Sequence, residues 1–132
     1  ESNLLGQILL NLLVNARDAI NDRARKLADA GKSFKGQIEL SVSRERNDNV
    51  TIVVADNAGG IPDEAIGRVF EPFFTTKPVG KGTGLGLSVS YGIVKDLGGN
   101  LSVRNGDKGA IFTIELPATM HSAVTSGQTV QA

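Results

Sequence analysis

Three short stretches of this 132-residue chain pair residue types that do chemistry with spacings that would let them act together. The first, NLLVNARDAI, covers residues 11 to 20 inside a run of strong helix formers. Asparagine is a poor helix-interior residue, because its amide competes for backbone hydrogen bonds. Yet Gln7, Asn11, Asn15 and Asp18 step by four, four and three, so they fall as one polar stripe on an otherwise apolar helix. A merely solvated face is usually Lys, Glu and Arg, as Asp22, Arg23, Arg25 and Lys26 are further along. An amide oxygen is a neutral hard ligand, suited to Mg²⁺ that keeps several waters and takes its remaining charge from phosphates.

The second stretch is GKGTGLGLSV, residues 80 to 89, where alternating glycines run straight into a helical pattern. Backbone N–H groups there can approach a ligand closely, and a helix N-terminus adds partial positive charge, which together suit phosphate. The spacing is neither that of the P-loop nor that of the dinucleotide fingerprint. A flexible linker ending at a helix is the plain alternative. In the third stretch, VVADNAGGIPDE, a β-branched strand ends in Asp56 and turns through Gly59 and Gly60. A strand-end carboxylate can accept a hydrogen bond from a ligand amine, and the missing side chains leave room for a flat ring. An ordinary turn has the same composition. Taken together, the three stretches supply a metal ligand, a phosphate cradle and a base pocket.

These residues need elements to hold them. Apolar residues at 5, 8, 9, 12, 13, 16, 19 and 20 follow the helical period, with Ser2 available as N-cap and Gly31 just past the end, which predicts a helix over 3–29. QIELSVSRERN and VTIVVAD read as two strands of a hairpin joined at Asn47-Asp48-Asn49. From Asn57 to Gly86 the chain is punctuated by glycine and proline around one short amphipathic piece, DEAIGRVF. That is too long for a routine connection and points to a functional lid. Helical periodicity returns over Leu85 to Leu97 and stops at Gly98-Gly99. NLSVRN and AIFTIEL form a second hairpin, and the polar residues 118–132 read as a disordered tail after a single domain over 1–117. Helix, hairpin, lid, helix, hairpin predicts a two-layer α/β sandwich with helices on one face of the sheet.

Composition narrows the function. Lys and Arg number fourteen, as do Asp and Glu, without a long basic stripe, so nucleic acid is not an expected partner. There is no cysteine, and the one histidine, His121, stands in the tail, so disulfides, thiolate metal sites and a Ser/His/Asp triad lack their parts. No apolar run approaches the roughly 18 residues of a membrane span, so no membrane contact is expected of a soluble piece. A chain opening on Glu1 is expected to be excised from a longer protein.

In order and spacing, NLLVNARDAI, DNAGGI, RVFEPFFTTK and GTGLGLSV resemble the asparagine box, first glycine box, phenylalanine box and second glycine box of the catalytic ATP-binding domain of sensor histidine kinases. That domain shares its superfamily with DNA gyrase, the heat-shock chaperones and the mismatch-repair ATPases. The likeness spans about residues 3 to 117, and the short lid looks like that of the nitrogen-regulatory and dicarboxylate-sensing kinases. It implies an α+β fold of the Bergerat type, with a mixed, mostly antiparallel sheet and a mobile ATP lid. It also implies that Asp56 accepts the adenine amino group, that Gly60 shapes the pocket floor, and that Asn15 holds Mg²⁺ with Asn11 close by. Gly82, Thr83, Gly84, Leu85 and Gly86 would meet the phosphates, Lys77 and Lys81 would reach them from the lid, and Phe70, Phe73 and Phe74 would anchor that lid or simply pack.

Two departures from the family pattern matter. Ala58 stands where the first glycine box usually has glycine, so that turn must avoid positive φ there. Ala110 stands where a threonine commonly helps bridge a water to adenine. A third position is diagnostic, because relatives that hydrolyse ATP carry a glutamate one turn before the metal-binding asparagine, as general base. Here that position is Asn11, and an amide cannot accept a proton at neutral pH. The resemblance therefore implies transfer to an external histidine on separate dimerisation helices, a response regulator downstream, and a cytoplasmic domain whose parent protein could be anchored in the inner membrane. A nucleotide-binding regulatory module, a serine kinase of the anti-sigma type, an ATPase and a stand-alone adaptor remain as alternatives.

Overall fold

The computed structural model describes residues 2–74 and 86–118. The tail beyond residue 118, His121 included, lies outside them, as does the lid segment 75–85. The elements run α1 (Ser2–Asp29), β1 (Ile38–Arg44), β2 (Val50–Asp56), α2 (Asp63–Ile66), α3 (Gly86–Asp96), β3 (Asn100–Asn105) and β4 (Ala110–Leu116). The strands form one sheet in the order β1-β2-β4-β3, so the two sequence hairpins are joined through β2 and β4. Every pairing among the described residues is antiparallel, where a mixed, mostly antiparallel sheet was expected.

Register explains which face is buried. Val54 pairs with Phe112 and Ile52 with Ile114, and β3 sets Leu101 against Ile114. These residues point to one side, where they meet Ile8 and Leu12 of α1 and Val94 of α3 in a continuous core. Ile114, Ile8 and Val94 are wholly excluded from water. Each large buried side chain of this kind contributes about 1.5–3 kcal/mol by leaving water. The alternate residues Thr51, Val53, Thr113 and Glu115 form the other face.

Helix ends follow the glycines. Gly31 has φ +75° and Lys32 N–H closes on Leu27 O at 2.7 Å; Gly98 has φ +85° and Gly99 N–H closes on Val94 O at 2.9 Å. Both are left-handed stops that satisfy the last carbonyls of a helix. At the first hairpin the left-handed residue is Asp48, φ 67°, with Asn47 Oδ1 accepting from Asn49 N–H at 3.1 Å.

Strand β1 is exposed along its whole length. Leu40 pairs with Val54 and Val42 with Ile52, so both face the helix side, yet they are 51% and 64% exposed. Helix α1 packs on β2 and α3 on β3, and α1 touches β1 without covering these two side chains.

Candidate nucleotide-binding site

The end of the sheet near Asp56 is built from one cross-strand row. Asn105 pairs with Ala110, and Asp56 stands one step past the last β2–β4 pair, Ala55 and Ile111. All three side chains therefore sit on the helix-covered face. Asp56 Oδ1 accepts from Ala58 N–H at 2.9 Å and from Ala110 N–H at 3.3 Å. Two backbone donors thus converge on one oxygen and fix the carboxylate's orientation, while the other oxygen is the one to offer elsewhere. Gly109 lies so close that a methyl group there would strike Asp56 O and Oδ1.

The turn that follows is clamped from three sides. Gly59, φ +96°, donates to Lys108 O at 3.0 Å, and Gly60 has φ +88°. Asn105 brackets Ile61 as a strand would: Ile61 N–H donates to Oδ1 at 2.8 Å, and Nδ2 donates to Ile61 O at 2.8 Å. A Cβ on Gly60 would come within 2.7 Å of that same Oδ1. Asn57 does the equivalent work toward the α1–β1 connection, accepting from Gln37 N–H and donating to Lys35 O, both at 2.9 Å. Ala58 is not among the positive-φ residues, so its methyl group is accommodated without the left-handed strain that glycine would relieve. Ala110 reaches Asp56 through its backbone N–H, not through a side-chain hydroxyl.

Helix α1 forms the long wall. Ile8, Leu12 and Ala16 are buried, while Asn11 and Asn15 on the next face are half-buried and Gln7 is exposed. Asp18, at the end of the stripe, accepts from Arg17 Nη2 at 3.0 Å. Asn11 Nδ2 donates to Ser90 Oγ of α3 at 3.0 Å and lies 3.5 Å from Gly86 O, the first residue of that helix. At the other end of the wall, the Arg23 guanidinium lies against Gly59, in the space a Cβ there would need. From Asn11 to Arg23 the helix rises roughly 18 Å at 1.5 Å per residue. One helix therefore touches the start of α3 at one end and the Asp-Asn-Ala-Gly-Gly turn at the other, the layout that an elongated ligand with a base and phosphates needs.

Among the expected site residues, the structure brings Asn11 against Gly86, places Asn15 one turn further along α1, and sets Asp56 at the end of β2 with Gly60 in the turn that follows. Lys77, Lys81, Gly82, Thr83, Gly84 and Leu85 lie outside the described residues. The three phenylalanines separate: Phe70 stacks on Tyr91 with centroids 5.0 Å apart and meets Phe112 edge-on at 6.3 Å, Phe74 lies under the Arg68 guanidinium at 4.8 Å, and Phe73 is 73% exposed with φ 67°. Phe70 thus packs against the core while remaining half-buried. Sequence reasoning missed Asn105, Gly109 and Ser90. The signal for Ser90 was present, because Leu87, Ser90, Tyr91 and Val94 share the helical period of a buried face and only one of them is small and polar.

A family model for histidine kinase-, DNA gyrase B-, and HSP90-like ATPases matches residues 1–120. The two-component sensor PprA of Pseudomonas aeruginosa is 45% identical over 118 residues, covering 89% of this chain and 12% of that protein. The C4-dicarboxylate transport sensor protein DctB of the same species is 36% identical over 113 residues, covering 85% of this chain and 17% of its own length. The catalytic domain of the histidine kinase ThkA, in a nucleotide-free structure, superimposes with TM-score 0.70 and 32% identity over 88% of this chain and 67% of its own. The chain therefore spans about an eighth of PprA and about a sixth of DctB.

Proposed function

The chain belongs to the histidine kinase-, DNA gyrase B-, and HSP90-like ATPase family, as a catalytic ATP-binding domain of two-component sensor histidine kinases, and from that premise we propose how its residues act. The domain binds Mg-ATP and donates the γ-phosphate to a histidine on a separate dimerisation and phosphoacceptor domain of the parent protein, which then serves a response regulator. Asp56 accepts the adenine amino group through the oxygen that its two backbone donors leave over. Gly60 keeps the pocket floor open, and Arg23 closes that end of the wall. Asn15 supplies an amide oxygen to Mg²⁺ with Asn11 beside it, and Gly82, Thr83, Gly84, Leu85 and Gly86 meet the phosphates with Lys77 and Lys81.

The donor set suits this cation. Among the described residues no group of three or more His, Cys, Asp or Glu side chains could hold a metal ion. A cation at Asn15 would then take its charge balance from phosphate, which is how Mg²⁺ commonly binds beside nucleotides. Bound there, it would neutralise charge on the phosphoryl oxygens. The chain's own contribution is to orient the nucleotide along α1, since phosphoryl transfer depends mainly on positioning and electrostatic stabilisation.

The observation that carries the choice of transfer over hydrolysis is the amide at Asn11, one helical turn before Asn15, where a hydrolysing site needs a general base. The test is to incubate the domain and its natural phosphoacceptor helices with labelled ATP and Mg²⁺, and to look for acid-labile, base-stable phosphate on the helices. Turnover by the domain alone at the rate of a dedicated ATPase would overturn the reading. No helix of the described residues is long and apolar enough to cross a membrane, and anchoring of the parent protein in the inner membrane, with this domain on the cytoplasmic side, belongs to the same proposal.

A further inference from the structure

Among the described residues, Ser90 is the polar side chain wholly excluded from water. It lies on the α3 face that packs against α1, near the core residue Val94 and the half-buried Leu87 and Tyr91 that pack on the core. Burying a hydroxyl is unfavourable unless it is paired. Its partner is Asn11 Nδ2, 3.0 Å from Oγ. The same nitrogen lies 3.5 Å from Gly86 O, one helical turn before Ser90. A carbonyl only accepts, so this pair of contacts decides which way the Asn11 carboxamide faces: Nδ2 turns into the seam between the helices and Oδ1 turns away from it.

The orientation matters because the two ends of a carboxamide are nearly equal in size and opposite in function. Rotated by half a turn, Asn11 would present an N–H₂ donor where a cation needs an oxygen. We propose that Ser90 is a positioning residue for nucleotide binding: its hydroxyl holds Asn11 Nδ2 in the α1–α3 seam and so keeps Oδ1, not the N–H₂ group, facing the cation. This inference rests on the reading given above, in which the Asn11–Asn15 face of α1 meets Mg-ATP. It gives Ser90 a role at a distance from the ligand, exerted through Asn11 and through the start of α3, which the same amide touches.

Calorimetric titration of the 132-residue chain with ATP, once in Mg²⁺ and once in EDTA, separates this role from plain packing. Ser90→Ala is expected to weaken Mg-ATP about 5- to 10-fold, the loss of one hydrogen bond to a binding group, and to leave metal-free ATP within about twofold of the native value. Ser90→Thr, which keeps the hydroxyl, is expected to stay near native in both. In an Asn11→Ala background, Ser90→Ala is expected to cost nothing further. An equal loss with and without Mg²⁺, no loss at all, or a full additional loss in the Asn11→Ala background would each overturn the positioning role. The native chain is the control: if it bound ATP no better with Mg²⁺ than with EDTA, the Mg-ATP reading would fall, and this inference with it. Native-like Mg²⁺ dependence with an unchanged Ser90→Ala variant would sink the inference alone.

Discussion

Replacing Asp56 by asparagine should uncouple base recognition from folding. In the structure both backbone donors, Ala58 N–H at 2.9 Å and Ala110 N–H at 3.3 Å, fall on Oδ1. An asparagine carbonyl can accept from both, so the turn and the start of β4 keep their partners and stability should change by less than ~1 kcal/mol. The cost falls on the other side of the side chain, where an N–H₂ group replaces Oδ2 and meets the adenine amino group donor to donor. A charge-assisted hydrogen bond contributes ~1.5–3 kcal/mol, so the ATP dissociation constant should rise about 10- to 150-fold. A 6-oxo purine presents an acceptor at that position, so the preference for ATP over ITP should shrink or invert. Asp56→Ala provides the contrast. It leaves two backbone N–H groups without their acceptor, which should lower stability by ~2 kcal/mol and also weaken ATP by roughly 10- to 100-fold. Titration of all three proteins with ATP and ITP, alongside thermal unfolding, reads every term. Native ATP preference in a normally folded Asp56→Asn variant would refute the assignment, and equal melting of the Asn and Ala variants would refute the account of the turn.

Gly109→Ala should lower ATP affinity at least about tenfold, because the new methyl group would strike Asp56 O and Oδ1, and forcing it in should cost ~1–3 kcal/mol of stability in denaturant titration. Gly92→Ala should act oppositely, since nothing lies within 4 Å of the new methyl in the interior of α3; unfolding should show a gain of ~0.5–1 kcal/mol with unchanged ATP binding. Ile114→Ala should cost ~2–5 kcal/mol, as it empties a fully buried site. The same truncation at Leu40, 51% exposed on the edge strand, should cost well under half of that, and equal losses would show that β1 is covered in solution.

Much of the fold was legible because period and punctuation agree. The 3.6-residue rhythm of Leu5, Ile8, Leu9, Leu12 and Ala16 gave α1 its length and Gly31 its end, and the strand boundaries fell at the turn residues. The pairing of β2 with β4 was not legible, since it joins segments more than fifty residues apart whose alternation is compatible with several sheet orders. For the site, Asp56 and Gly60 stood out through residue type and turn chemistry. Asn105 did not, because its role is to complete the backbone hydrogen bonds of Ile61 from another strand, and nothing local in NLSVRN records that. The exposure of Leu40 and Val42 was equally hidden: alternation reports which side chains share a face, not whether a helix reaches over them.

The identity of residue 11 is constrained from both sides, and this bears on the proposed preference for phosphate transfer over hydrolysis. On the seam side its nearest groups are Ser90 Oγ and the Gly86 carbonyl, and a carbonyl tolerates a donor there but not a second acceptor. A glutamate there would place carboxylate oxygens against a carbonyl oxygen in a half-buried seam, an unfavourable contact at any length of side chain. Restoring the general base of a hydrolytic site at residue 11 would therefore require the new carboxylate or the first turn of α3 to move out of that contact. Since Gly86 closes the glycine-rich stretch that meets the phosphates in the proposed mode, a shift of that turn would disturb the cradle as well. In this chain the amide couples α1 to the start of α3, and the coupling and the lack of a base are consequences of the same side chain.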